Sequence, residues 1–201
     1  MKTNIKGGGV ALITPFKDSG EIDFEALERL LNRVISGGAD YLVVLGTTAE
    51  TPTLSAEERI AVTKFVIEKN NGKLPIVLGI GGNCTADVVR SIQTTDLEGV
   101  DAILSVTPYY NKPSQEGIYQ HYKTIAEASP RPIVMYNVPG RTGVNMTAET
   151  TLRIARNFSN VIAIKEASGN ITQMDDIIKN KPENFNVISG DDGITFPLIT
   201  L

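Results

Sequence analysis

Short apolar runs rich in β-branched residues recur along the chain at Val10 to Ile13, Tyr41 to Leu45, Ile76 to Ile80, Ala102 to Val106, Ile133 to Tyr136, Val161 to Ile164 and Val187 to Ile188. They follow one another at roughly 25 to 35 residues, the size of a βα unit. Unbroken apolar runs bounded by turn formers predict strands covered on both faces, as in a parallel sheet. Helical periodicity fills the intervals. Phe24, Leu27, Leu31, Val34 and Ile35 predict a helix that Gly37 and Gly38 stop. Ser55 with Glu58, and Asn170 with Gln173, have the spacing of capping boxes and predict two helix starts.

Strict alternation of strand and helix, with no linker and no change of composition, places the chain in the α/β class as one domain over residues 1–201. About seven βα units favour a (β/α)8 TIM barrel over a doubly wound sheet. A closed barrel has eight strands and typically ~250 residues. Here the seventh run is followed only by Ile194 to Leu201, so the expectation is a barrel truncated before its eighth strand. The edges of the first and seventh strands would then be open to another chain.

The ends of the runs carry the polar chemistry. The second leads into Gly46-Thr47-Thr48-Ala49-Glu50, the fourth into Thr107-Pro108-Tyr109-Tyr110-Asn111, the fifth into Tyr136-Asn137-Val138-Pro139-Gly140-Arg141-Thr142-Gly143, and the seventh into Ser189-Gly190-Asp191-Asp192. The sixth ends on Lys165-Glu166. In a barrel these loops converge on one mouth, where α/β folds put their active sites. A strand-end lysine is often only a solvated cation. At a desolvated mouth, however, its ammonium form is disfavoured, and the free amine can attack a carbonyl to form a Schiff base.

Composition narrows the chemistry. A net charge of −4 with intermixed signs offers no basic patch, so neither nucleic acid nor a membrane is expected as a partner, and the substrate is expected to be a small molecule. The apolar run in Met1 to Phe16 is too short for a signal peptide, and no stretch approaches a membrane span, which leads to a cytoplasmic expectation. Cys84 is the only cysteine and His121 the only histidine. Disulfides, histidine metal sites and serine triads are therefore not expected, and proton transfer falls to Tyr, Lys, Asp, Glu or water.

Taken together, Gly46 to Glu50, Thr107 to Asn111, Tyr136 to Pro139, Arg141 to Gly143 and Ile164 to Glu166 resemble the dihydrodipicolinate synthase family of pyruvate-dependent class I aldolases. The resemblance runs through the whole chain in order. It implies condensation of pyruvate with aspartate 4-semialdehyde in lysine and diaminopimelate biosynthesis, without a cofactor. It also implies Lys165 as the Schiff-base residue and Tyr136 as proton relay, linked through Thr48 to Tyr110 of a neighbouring subunit in a homo-oligomer. Thr47 and Thr48 are implied to hold the pyruvate carboxylate, Gly190 to be substrate-binding, and Arg141 to meet the carboxylate of the semialdehyde.

Two departures stand out. Ala49 occupies a position usually held by glycine, which would be strained at positive φ. Arg59 would repel a cationic feedback effector, so inhibition by lysine is not carried over. The alternatives are another Schiff-base aldolase, such as an N-acetylneuraminate lyase, and a truncated, catalytically silent barrel. Arg141 argues against the first, because sugar-acid lyases generally have small or apolar residues in that loop.

Overall fold

The computed structural model describes residues 5–201. Residues 1–4, part of the segment Met1 to Phe16 and of the expected 1–201 domain, lie outside the described residues. The chain divides into two compact units, the first comprising Met1–Gly79 and Leu97–Ile103, the second Ile80–Asp96 and Leu104–Leu201.

In the first unit, β1 (Gly9–Ala11), β2 (Tyr41–Val44) and β3 (Ile76–Gly79) are parallel, with Val10 opposite Leu42 and Leu42 opposite Ile76. All four residues of β2 are buried, which accounts for its unbroken apolar sequence. The first strand is shorter than expected, although the Leu12 amide still donates to the Val43 carbonyl. The second strand stops one residue early because Leu45 turns to φ 55°. Its carbonyl lies so close to Gly79 that a Cβ there would come within 2.0 Å, so only glycine fits.

Helix α1 (Phe24–Ser36) ends at Gly37 as expected, and Asp23 caps its start by accepting from the Ala26 amide. Helix α2 (Ala56–Asn70) begins with the expected capping box: Ser55 Oγ accepts from the Glu58 amide and Glu58 accepts from the Ser55 amide. The two helices meet through Phe24 and Phe65, whose ring centroids are 5.0 Å apart, and through a 2.9 Å ion pair between Lys69 and Glu28.

The second unit holds α3 (Thr85–Thr94), the end of β4 (Ala102–Val106), α4 (Gln115–Ala128), β5 (Ile133–Asn137), α5 (Pro139–Thr142), α6 (Ala148–Asn157), β6 (Val161–Glu166), α7 (Ile171–Asn180), β7 (Asn186–Ser189) and α8 (Asp192–Ile199). Strands β5, β6 and β7 are parallel neighbours. Thr107, just past β4, donates to the Tyr136 carbonyl from both its amide and its hydroxyl. Tyr122 of α4 is fully buried, and its hydroxyl donates to the Ser105 carbonyl at 2.8 Å.

The β5/β6 register shifts within the pair. Ile133 faces Val161 but Val134 faces Ala163, so one residue of β6 is skipped and Tyr136 comes to face Lys165. Asn170 caps α7 by accepting from the Gln173 amide, but the reciprocal half of the expected box is absent. The Gln173 side chain instead bonds Glu166, Asn145 and Met146.

Candidate active site

Lys165 is the penultimate residue of β6 and is half-buried. Its Nζ stands 4.7 Å from the centroid of the Tyr136 ring, at the facing position of β5. Its aliphatic stem runs over Gly190, where a Cβ would come within 2.8 Å of Lys165 Cε. A side chain there would push the lysine stem aside, a packing reason for glycine that stands beside any role in binding substrate. Burial lowers the Lys165 pKa below the usual lysine range, the Arg141 charge adds to that shift, and the Asp192 carboxylate opposes it. A desolvated amine packed on a phenol is suited to nucleophilic attack on a carbonyl.

Arg141 is exposed on the short helix α5, directly after β5. Pro139 at its first turn sets the φ of the helix start, and Gly143, at φ 72°, closes it by donating to the Pro139 carbonyl. The guanidinium is thus presented by a rigid turn whose field reaches the amine.

The remaining expected residues are described each in its own loop. Tyr110 sits on the loop after β4 and is 87% exposed at φ 69°. Thr47 and Thr48 belong to the first unit, exposed on a 3₁₀ turn spanning Thr47–Ala49. Ala49 is not among the residues with positive φ, so the feared strain does not arise. The left-handed position in this turn is Glu50, at φ 55°.

Behind the amine lies a buried polar cluster to which sequence reasoning assigned no role. Glu166 and Asn137, facing each other across β6 and β5, are both fully buried. The Glu166 carboxylate accepts from Asn137 Nδ2, from Gln173 Nε2 and from the Ser168 amide. The available signal was a glutamate closing an otherwise apolar strand next to the lysine. Among the described residues, no group of three or more His, Cys, Asp or Glu side chains could hold a metal ion.

A profile of the dihydrodipicolinate synthetase family matches residues 4–201. The chain belongs to that family. The 4-hydroxy-tetrahydrodipicolinate synthase of Parabacteroides distasonis is 71% identical over 198 residues, which cover 98% of this chain and 67% of the relative. The crystal structure of dihydrodipicolinate synthase from Aquifex aeolicus superposes with a TM-score of 0.92 at 41% identity, covering 97% of this chain and 66% of the other. A structure described as the first monomeric dihydrodipicolinate synthase variant matches with a TM-score of 0.93 at 45% identity, covering 96% and 65%.

The chain thus spans about two thirds of the length of the proteins it matches, and seven strands lie among its described residues. These matches bear out the (β/α)8 barrel class and the expected enzyme family, one of class I aldolase-type lyases in amino-acid biosynthesis. No helix among the described residues is long and apolar enough to cross a membrane.

Proposed function

We propose that this chain condenses pyruvate with aspartate 4-semialdehyde through a Schiff base on Lys165. The observation that carries this reading is the amine itself: half-buried, shifted toward its neutral form, and 4.7 Å from the ring centroid of Tyr136. The neutral amine adds to the keto carbon of pyruvate, and loss of water leaves the imine. Loss of a methyl proton converts the imine to an enamine, whose carbon attacks the aldehyde.

Tyr136 relays protons between these species. A free phenol, with a pKa near ~10, is a poor base at neutral pH and needs a hydrogen-bonded partner to do this. Arg141 takes the carboxylate of the aldehyde substrate, which a guanidinium fork fits with two parallel hydrogen bonds. The pyruvate-binding roles of Thr47 and Thr48 and the relay through Thr48 and Tyr110 rest on the motifs alone, and with the substrate-binding role of Gly190 they belong to this proposal.

The same reading includes a cytoplasmic enzyme, residues 1–201 acting as one incomplete barrel domain, and a homo-oligomer. The family match through both units supports the single domain. Tyr110, a large aromatic at 87% exposure on a left-handed backbone, supports an interface between copies.

The test is borohydride reduction in the presence of labelled pyruvate, followed by turnover with aspartate semialdehyde and with N-acetylneuraminate. Trapped label together with consumption of pyruvate by the semialdehyde supports the reading. Pyruvate release from N-acetylneuraminate would favour the sugar-acid lyase, and absence of any trapped label would remove the Schiff base altogether.

A further inference from the structure

Adjacent residues in a strand point to opposite faces, so Lys165 and Glu166 serve different layers of the fold. Lys165 lies against Tyr136 and Gly190, and Glu166 turns toward α7. The Glu166 carboxylate is fully buried, and its partners are all neutral N–H donors. Ser168 N lies at 2.8 Å from Oε1, Asn137 Nδ2 at 3.1 and 3.2 Å from the two oxygens, and Gln173 Nε2 at 3.0 Å from Oε2. Among the described residues no cation is paired with it. A buried carboxylate without a counter-ion is costly, so its hydrogen bonds have to be complete.

These donors lead to a second place. Asn137 Oδ1 accepts from the Met146 amide at 3.0 Å, and Asn137 Nδ2 donates to Asn145 Oδ1 at 2.8 Å. Gln173 Nε2 donates to the Met146 carbonyl at 3.1 Å, and Gln173 Oε1 accepts from Asn145 Nδ2 at 2.8 Å. Asn145 and Met146 end the loop that begins with α5, so the segment carrying Arg141 is fastened at its far end by side chains that themselves converge on Glu166.

We propose that Glu166 is a positioning residue that ties the strand presenting Lys165 to the loop presenting Arg141, and so sets capture of the second substrate rather than formation of the imine. The inference rests on the Schiff-base reading above. Both oxygens of Glu166 must accept, because every group that faces them donates. The variant Glu166→Gln keeps the shape but turns an N–H₂ toward those donors, and the Asn145–Met146 anchor loosens. Lys165 keeps its backbone pairing with β5 and β7, and its stem keeps its packing on Gly190.

The experiment combines pyruvate imine trapping with steady-state kinetics on the unsubstituted protein, on Glu166→Gln, on Arg141→Ala and on the double variant. For Glu166→Gln, kcat/KM for the aldehyde should fall about tenfold, the order expected for one hydrogen bond to a charged group, while the rate of imine formation stays within about twofold. In the Arg141→Ala background the same substitution should have little further effect, because the loop then has no guanidinium to position. A merely structural role would instead lower both half-reactions together and add to the Arg141→Ala loss.

Gln173→Ala, at a half-buried surface position, provides a second variant that does not disturb the buried carboxylate's own strand, and should give the same split at about threefold. Parallel loss of imine formation and aldehyde capture, additive effects in the double variant, or an unchanged Gln173→Ala would each overturn the inference while leaving the Schiff base intact. Absence of an imine in the unsubstituted protein would overturn the reading, and this inference with it.

Discussion

Lys165 and Tyr136 face each other across two parallel strands, with the amine 4.7 Å from the centroid of the phenol ring. That pairing depends on the one-residue register shift at the start of β5. Continuing the Ile133–Val161 register without it would set Tyr136 opposite Ile164 instead. A skipped residue in β6 is therefore as much a part of the site as the two side chains.

The pairing predicts where the adduct forms. After pyruvate and borohydride, mass spectrometry should locate the added mass on the peptide containing Lys165, and Lys165→Arg should abolish it. Label found mainly on Lys112 or Lys123 would contradict the assignment.

Arg141→Ala should leave imine formation nearly intact and weaken capture of the aldehyde acid by about 1.5–3 kcal/mol, the range for hydrogen bonds made by charged groups. Comparing trapping rates with kcat/KM for the aldehyde separates the two. Equal losses in both would make Arg141 a structural residue of α5.

The lowered pKa of Lys165 gives the imine step a pH profile. Its folded pKa lies below the unfolded value of 10.5, so the reactive neutral amine accumulates as pH rises through the folded pKa. In the window between the two pKa values the unfolded chain binds the extra proton, and stability rises with pH there. Single-turnover trapping should thus accelerate with pH to a plateau reached below the ordinary lysine range. A midpoint at or above 10.5 would mean that burial does not tune the amine.

His121 sets an acid limit on stability. It is 3% exposed, its Nδ1 is paired with Thr85 Oγ1 at 2.8 Å, and burial lowers its pKa from 6.5 to about 4. The unfolded chain therefore takes up the proton first as pH falls. The contribution is fully present above about 6.5, is lost progressively down to about 4, and amounts to as much as ~3 kcal/mol. Urea unfolding at pH 7.5 and 4.5 should show a smaller acid loss for His121→Leu than for the unsubstituted protein. Identical losses would show that His121 is not the titrating group.

Assembly is testable through Tyr110. If this exposed aromatic reaches a second copy, light scattering over a dilution series should reveal a concentration-dependent oligomer, and Tyr110→Ala should shift it toward monomer. A monomer with undiminished turnover would exclude a shared site. The match to a monomeric variant means that the family name alone does not decide the matter.

The sequence by itself determined the local elements and the residue types of the site. Unbroken apolar runs such as Tyr41 to Val44 must be covered on both faces, and the Ser55–Glu58 spacing satisfies two orphan donors, so these features form wherever the chain is folded. The strand-end motifs likewise marked Lys165, Tyr136 and Arg141 without reference to any long-range contact. Tertiary structure decided what depends on neighbours distant in sequence. The β6 irregularity that sets Lys165 beside Tyr136 has no signature in periodicity, and the space over Gly190 is filled by a lysine 25 positions earlier in the chain. The diversion of Gln173 from its capping box has the same origin. Its Oε1, which a capping box would turn to the Asn170 amide, accepts instead from Asn145 Nδ2, while its Nε2 donates to the buried carboxylate of Glu166 and the Asn170 amide donates to Ser168 Oγ.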